Sequence, residues 1–216
     1  MWGLYNDAFS AQIYHYDYSR ATWDLIPGAL TQIAVGADGS VWGLNFGGQI
    51  YRYDPTNPAN PWDLIPGALA QIAVGADGSM WGLTGQIFRY DPTNPASPWD
   101  LIPGALVQIA VGSSANVWGI NDGDQIFRFD PAIQNWVLIP RQLAQIAVGF
   151  DGVVWGVNAS QQVYRYDPGN PNIWDLVSGN LTQVAVGGDA VVWGINSTYI
   201  PFEGGPNAQE YQFRWR

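Results

Sequence analysis

Four kinds of side chain that could hold a ligand recur together along this chain: an indole, a guanidinium, a phenol and a carboxylate. The indoles are Trp2, Trp42, Trp81, Trp118, Trp155 and Trp193, each followed by glycine and spaced 40, 39, 37, 37 and 38 residues apart. After four of them come Arg52, Arg89, Arg128 and Arg165, with Tyr53, Tyr90 and Tyr166 following in three cases and an Asp one residue further on. Aromatic faces stack on the C–H faces of sugars, while Arg and Asp hydrogen-bond hydroxyl groups, so this inventory suits a carbohydrate site. The candidate carbohydrate-binding set is therefore those six tryptophans, four arginines and three tyrosines. A purely structural reading stands beside it: repeated Trp and Tyr at strand spacing serve packing, and an Arg beside an Asp makes an ion pair. Packing alone, however, does not require Arg at four of six equivalent positions.

Catalytic chemistry finds little support. His15 is the single histidine and stands where other repeats carry Arg52, Arg89, Arg128 and Arg165, so it reads as a repeat variant rather than a general base. No Ser/His/Asp or Cys/His set can be assembled. Asp38, Asp77, Asp151 and Asp189, and the pair Asp122 and Asp124, read as turn formers, because none shows the ligand spacing of a calcium loop. No metal and no cofactor are expected, and the expected protein is not an enzyme.

The elements that must position this set follow from the period. One unit, Leu69 to Ile102, breaks into LAQIAVG, an Asp-Gly turn, SMWGL, QIFRYD, a Pro/Asn loop and WDLI, which Pro103-Gly104 ends. These are four strands rich in Val, Ile, Tyr, Phe and Trp, without helical periodicity, and the Gly-containing turns suit hairpins. The spacing predicts an all-β chain: a six-bladed β-propeller of mostly four-stranded antiparallel blades, forming a single domain over residues 1–216 of six tandem repeats. The small Ala-Val-Gly ending marks the innermost strand, and Trp-Asp-Leu the outermost. The Trp-Gly indole near the start of the second strand, the Arg and Asp near the end of the third and the Trp opening the fourth then share one rim.

Both ends of the chain depart from the unit. The innermost strand has five copies, marked by Gln32, Gln71, Gln108, Gln145 and Gln183, so the first blade lacks an inner strand of its own. The tail STYIPFEGGPNAQEYQFRWR aligns in two ways. Either Phe213-Arg214-Trp215 stands for the aromatic-Arg-aromatic of the third strand, or Tyr199 to Glu203 forms the third strand and Tyr211 to Trp215 the fourth; the spacing from Tyr90 to Trp99 favours the second.

Composition narrows the partners. The net charge is −10, every cation is Arg, and such a sparse acidic surface repels phosphate backbones and anionic membranes, which argues against nucleic acid. There is no cysteine, so stability rests on packing. The N-terminus lacks a basic and an apolar signal region and no run suffices for a membrane span, so a cytoplasmic protein without membrane insertion is expected.

With the VWG, QIYRYD and W-D-L-I-P-G-A-L-x-Q-I-A-V-G motifs in view, the chain resembles the tectonin family of β-propeller lectins, which is similar in turn to fish-egg lectins. The resemblance runs clearly from Trp2 to about Trp193 and loosely over the tail. It implies a six-bladed propeller that binds glycans of bacteria and invertebrates, O-methylated sugars such as methylated mannose or fucose among them, as a protein of innate defence. Fungal members are typically cytoplasmic. The chain departs from the pattern at Pro140-Arg141-Gln142 for Pro-Gly-Ala, Val177-Ser178 for Ile-Pro, Ser114 for the turn Asp and His15 for Arg.

The expected function is thus multivalent glycan binding, with a protein-interaction scaffold as the rival and a propeller hydrolase or lyase disfavoured by the missing base. Gly43, Gly82, Ala73 and Ala110 are expected to form a small notch for a methyl ether beside the indoles. Homo-oligomerisation is expected to multiply the display of weak sites.

Overall fold

A computed structural model of the chain describes residues 1–6, 11–170, 172–188, 191–198 and 207–214. Among these residues there are 22 strands and no helix, arranged as six antiparallel sheets. The first sheet is β1 (Trp2–Asn6), β2 (Ala11–Asp17) and β3 (Thr22–Ile26). The second is β4 (Gln32–Val35), β5 (Val41–Leu44), β6 (Gln49–Tyr53) and β7 (Trp62–Ala68). The third is β8 (Gln71–Val74), β9 (Met80–Leu83), β10 (Ile87–Tyr90) and β11 (Trp99–Ile102). These three sheets belong to one compact unit, Met1–Gly104.

A second unit, Ala105–Arg216, holds the other three. The fourth sheet is β12 (Gln108–Ser113), β13 (Asn116–Ile120), β14 (Gln125–Asp130) and β15 (Asn135–Gln142). The fifth is β16 (Gln145–Val148), β17 (Val154–Val157), β18 (Gln162–Tyr166) and β19 (Trp174–Asn180). The sixth is β20 (Gln183–Val186), β21 (Val191–Thr198) and β22 (Asn207–Arg214). Within every sheet each strand pairs with its neighbour in sequence, and successive sheets of a unit stack face to face, as in the β-propeller class.

Four sheets carry the full four strands, whereas the first and last have three. The expectation of mostly four-stranded sheets, with a first one lacking its inner strand, is met. β22 pairs directly with β21 and so takes the third place in its sheet, which overturns the preference for Tyr211 to Trp215 as a fourth strand. The register sets Gln212 opposite Trp193, where Arg52 stands opposite Trp42, so Tyr211-Gln212-Phe213 replaces the aromatic-Arg-aromatic triplet. The segment Tyr199 to Glu203 lies outside the described residues.

Two local features explain the repeated small residues. The inner strands end at glycines where a Cβ would collide with the next sheet: one on Gly112 would lie 2.6 Å from the Gly149 carbonyl oxygen, and one on Gly149 2.6 Å from that of Gly187. The crowding expected of Ala-Val-Gly is therefore real. In place of side-chain bulk, glutamine joins these strands. Gln32 donates to the Ile72 carbonyl at 3.0 Å and accepts from the Ile72 amide at 3.0 Å, and Gln145 does the same with Val184 at 2.9 Å each. Each such amide satisfies backbone groups that the gap between sheets would leave unpaired.

Pro103-Gly104 ends β11 at Ile102 as expected, but the equivalent Pro-Gly is not a stop in every sheet. It does not end the outermost strand of the second sheet: β7 continues to Ala68, with a register shift between Gln49 and Ile50 that loops Pro66 and Gly67 out as a bulge. The same bulge occurs in β15 and β19. With or without the bulge, the Pro carbonyl at this position accepts from the neighbouring sheet: the indole N–H of Trp62 donates to Pro27, Trp99 to Pro66 and Trp174 to Pro140, at 2.8, 2.6 and 3.0 Å.

Candidate functional site

Register decides which side chains share a face, because directly opposed residues on paired strands point the same way. In the second sheet Ala34, Trp42, Arg52 and Asp63 form one row across the strands. Its counterparts are Ala73, Trp81, Arg89 and Asp100; Ala110, Trp118, Arg128 and Val137; and Ala147, Trp155, Arg165 and Asp175. In the first sheet the row is Trp2, His15 and Asp24, so His15 does occupy the arginine position.

The structure brings each indole next to its arginine but takes most of the indoles away from solvent. Trp42, Trp81, Trp118 and Trp155 are 0–2% exposed, so they present no face to a sugar; Trp2 is half-buried and Trp193 is 46% exposed. The reason is strand alternation. Arg52 and Trp42 lie on one face of the second sheet, whereas Tyr53, one residue on, lies on the other with its partner Trp62. The aromatic set is therefore assembled from two sheets, not one. Trp42 meets Tyr90 of the third sheet edge-on at 4.8 Å, Trp118 meets Tyr166 of the fifth at 4.8 Å, and Trp2 meets Tyr53 of the second at 4.7 Å. Tyr90 and Tyr166 pack in turn on Trp99 and Trp174. These are the contacts of a packed core.

The expected methyl notch is filled as well. A Cβ on Gly43 would lie 2.3 Å from Leu30 Cδ1, and one on Gly82 2.3 Å from Leu69 Cδ1. Each glycine is a seat for a leucine of its own sheet, and Ala110 packs against the core. At Trp42, Trp81, Trp118 and Trp155 the expected site on the Trp-Gly pair is thereby corrected to a packing motif.

The guanidiniums divide into two kinds. Arg89 pairs with Asp100 and Arg165 with Asp175, each at 2.8 Å, through the Asp of Trp-Asp-Leu, and Arg165 lies in addition 3.6 Å from Asp167 of Arg-Tyr-Asp. Asp175 is held below the ordinary carboxylate range, first by the Arg165 hydrogen bond and then by that of Asn170. Asp54 and Asp91 are also lowered, by hydrogen bonds from the Thr56 and Thr93 hydroxyls in their turns. Arg52 is exposed and lies over the Trp42 ring at 5.6 Å, and Arg128 faces Val137; neither has a carboxylate partner among the described residues.

Open concave surface lies elsewhere, at the junctions of neighbouring sheets beside the Pro-Gly bulges. Where the first and second sheets meet, Gly28, Ala29, Asn45, Tyr51, Asn60 and Trp62 line a groove of about 290 Å³. Where the fourth and fifth meet, the corresponding positions are Arg141, Gln142, Asn158 and Asn172, in a cleft of about 560 Å³. Gly67, Phe88 and Trp99 line a narrower groove of about 100 Å³ at the junction of the second and third. On the first sheet Gln12, Tyr14 and Trp23 line a groove of about 490 Å³. None of these residues stood in the expected set. The sequence signal was present, since Tyr51 alternates with Arg52 in Gln-Ile-Tyr-Arg-Tyr and so must face away from the buried indole, toward the neighbouring sheet.

Comparison with known proteins places these features in context. A family model described as Tectonin domain matches residues 2–135 and 129–213. Tectonin-1 of Physarum polycephalum is 42% identical over 57 residues, 26% of this chain and 24% of that protein. Tectonin-2 of the same organism is 52% identical over 42 residues, 19% of this chain and 11% of that protein. The matched segments thus span a quarter or less of these relatives. Among solved structures, YCF48 bound to D1 peptide superposes with a TM-score of 0.59 at 16% identity, over 87% of this chain and 69% of that one, a likeness of fold alone.

Proposed function

The chain belongs to the tectonin domain family, and on that premise we propose that it is a multivalent, non-enzymatic carbohydrate-binding protein whose sites are the grooves between neighbouring sheets. The observation that carries this reading is the recurrence of grooves between neighbouring sheets at equivalent positions, with the Tyr51 ring and the Asn45 and Asn60 amides at the first junction and the Gln142, Asn158 and Asn172 amides at that of the fourth and fifth sheets. A ring face with hydrogen-bonding amides around it suits a saccharide, which is apolar on its faces and polar at its edges. Arg52 and Arg128 supply further donors at the other end of the strands.

The finer reading has four parts. The chain acts as one domain of six blades over residues 1–216, the sixfold Trp-Gly repeat supporting that number. Its ligands are glycans carrying O-methylated mannose or fucose. Pro27, Ala29 and Pro61 around Tyr51 are the apolar contacts suited to a methyl ether, and one buried methyl adds about 0.8 kcal/mol, roughly four-fold in affinity. The protein works in the cytoplasm as a defence molecule against bacteria and invertebrates. It assembles as a homo-oligomer. Nucleic acid and membranes are not its partners, as the net charge of −10 supports.

A glycan array with inhibition by free monosaccharide tests the proposal. Binding inhibited by millimolar methylated mannose or fucose is expected, with Tyr51→Ala reducing it. Absence of binding to every glycan, with protein ligands retained, rejects the lectin reading in favour of a scaffold.

A further inference from the structure

The junction of the fourth and fifth sheets breaks the repeat at one residue. The bulge position is glycine at Gly28, Gly67, Gly104 and Gly179, with φ between 119° and 135°, but here it is Arg141 at φ 122°. That left-handed conformation is costly for a side-chain-bearing residue and persists only where its surroundings hold it. Arg141 is held by its side chain: the guanidinium carbon lies over Tyr164 at 3.9 Å from the ring centre. The stack removes Tyr164 from solvent, leaving it 6% exposed, whereas Tyr51 at the corresponding place lines an open groove. Arg141 itself is exposed and makes no ion pair among the described residues. Arg141 lines the cleft of about 560 Å³, together with Asp124, Gln142, Asn158, Ser160 and Asn172.

We propose that this junction is a variant subsite for a carboxylate-bearing sugar of the uronic-acid class, with the stacked Arg141 guanidinium receiving the carboxylate and the amide and hydroxyl side chains receiving ring hydroxyls. The inference rests on the carbohydrate-binding reading and specifies the ligand of one of its sites. A guanidinium stacked on an aromatic ring keeps its donor edges pre-oriented for a planar carboxylate. A neutral sugar loses the ring face it uses at the other junctions, because Arg141 covers it. The net charge of −10 and the neighbouring Asp124 select against polyanions, so the ligand is a single carboxylate rather than a sulfated chain.

The test is calorimetric titration of the full chain with glucuronate and with glucose, for wild type, Arg141→Gly and Arg141→Lys. Glucuronate is expected to bind wild type, to weaken at least about tenfold in Arg141→Gly through loss of a charge-assisted contact, and to weaken in Arg141→Lys, which keeps the charge but not the planar fork. Arg141→Gly is expected to melt at a higher temperature, since glycine relieves the backbone, so loss of binding cannot be ascribed to unfolding. Unchanged glucuronate affinity in Arg141→Gly, or no glucuronate binding to wild type, overturns the subsite. If methylated mannose still binds in that case, the general carbohydrate reading stands; if no sugar binds, both fall. Binding of polyglutamate that glucuronate does not displace also overturns it, in favour of an acidic peptide.

Discussion

Single residues separate packing from recognition here, and burial is the discriminating quantity. Trp118 is 1% exposed and meets Tyr166 and Trp174 of the next sheet. Trp118→Ala is expected to lower stability by about 3–5 kcal/mol in a denaturant melt, the cost of a large cavity. Arg128 has Val137 opposite where other sheets carry an aspartate, and Arg128→Ala is expected to change stability by no more than about 0.5 kcal/mol in the same assay. Titration adds a second residue-scale expectation. The Asp175 carboxyl is lowered in the folded state, so its contribution is complete above the ordinary carboxylate range and is lost as pH falls through its lowered value. Melting temperature should therefore be insensitive to this group from about pH 8 to 5 and drop below about pH 4. Asp175→Asn should flatten that acid limb, measured by melts at pH 6 and pH 3.

At the scale of the element, the outermost strand does more than close a sheet. The Pro carbonyl that follows its Ile accepts from the indole of the next sheet, so Trp62, Trp99 and Trp174 are each both a packed ring and a hydrogen-bond donor. Trp174→Phe keeps a ring but removes the N–H to Pro140, and is expected to cost about 1 kcal/mol more than the change in apolar area explains. Equilibrium unfolding of Trp174→Phe beside Trp174→Ala would separate the two contributions. The second strand shows the complementary rule. Its glycine is the space into which a leucine fits, so Gly43→Ala is expected to cost about 1–3 kcal/mol by overpacking against Leu30, read from the same unfolding curves.

For the molecule as a whole, repetition matters more than any one groove. On the proposed carbohydrate-binding reading each groove alone holds a sugar weakly, and several sites on one chain engaging a glycan-coated surface would raise avidity by about 10² to 10⁴ without new contacts. Surface plasmon resonance on immobilised glycan, set against calorimetry with the free monosaccharide, is expected to show that gap, with more than one sugar bound per chain. A stoichiometry of one would leave a single competent groove and reject multivalency.

What the sequence alone determined was everything that depends on period and on local conformational preference. The Trp-Gly spacing placed the strands of the unit to within a residue or two, and the five inner-strand glutamines foretold a first sheet of three strands. His15 standing in for arginine followed from alignment of the repeats and is realised in the register. The sequence could not say which face of a sheet meets its neighbour. Alternation puts Arg52 and Tyr53 on opposite faces whatever the fold, but only the stacking of sheets decides that Trp42 is sealed by Tyr90 while Tyr51 borders a groove. Burial of an aromatic ring is a property of what a distant segment of the chain places over it, as Tyr90 is over Trp42, and no local pattern encodes that contact. The same holds for Arg141: its departure from Pro-Gly-Ala was visible in the sequence, but its backbone angle and its stack on Tyr164 exist only in the folded chain.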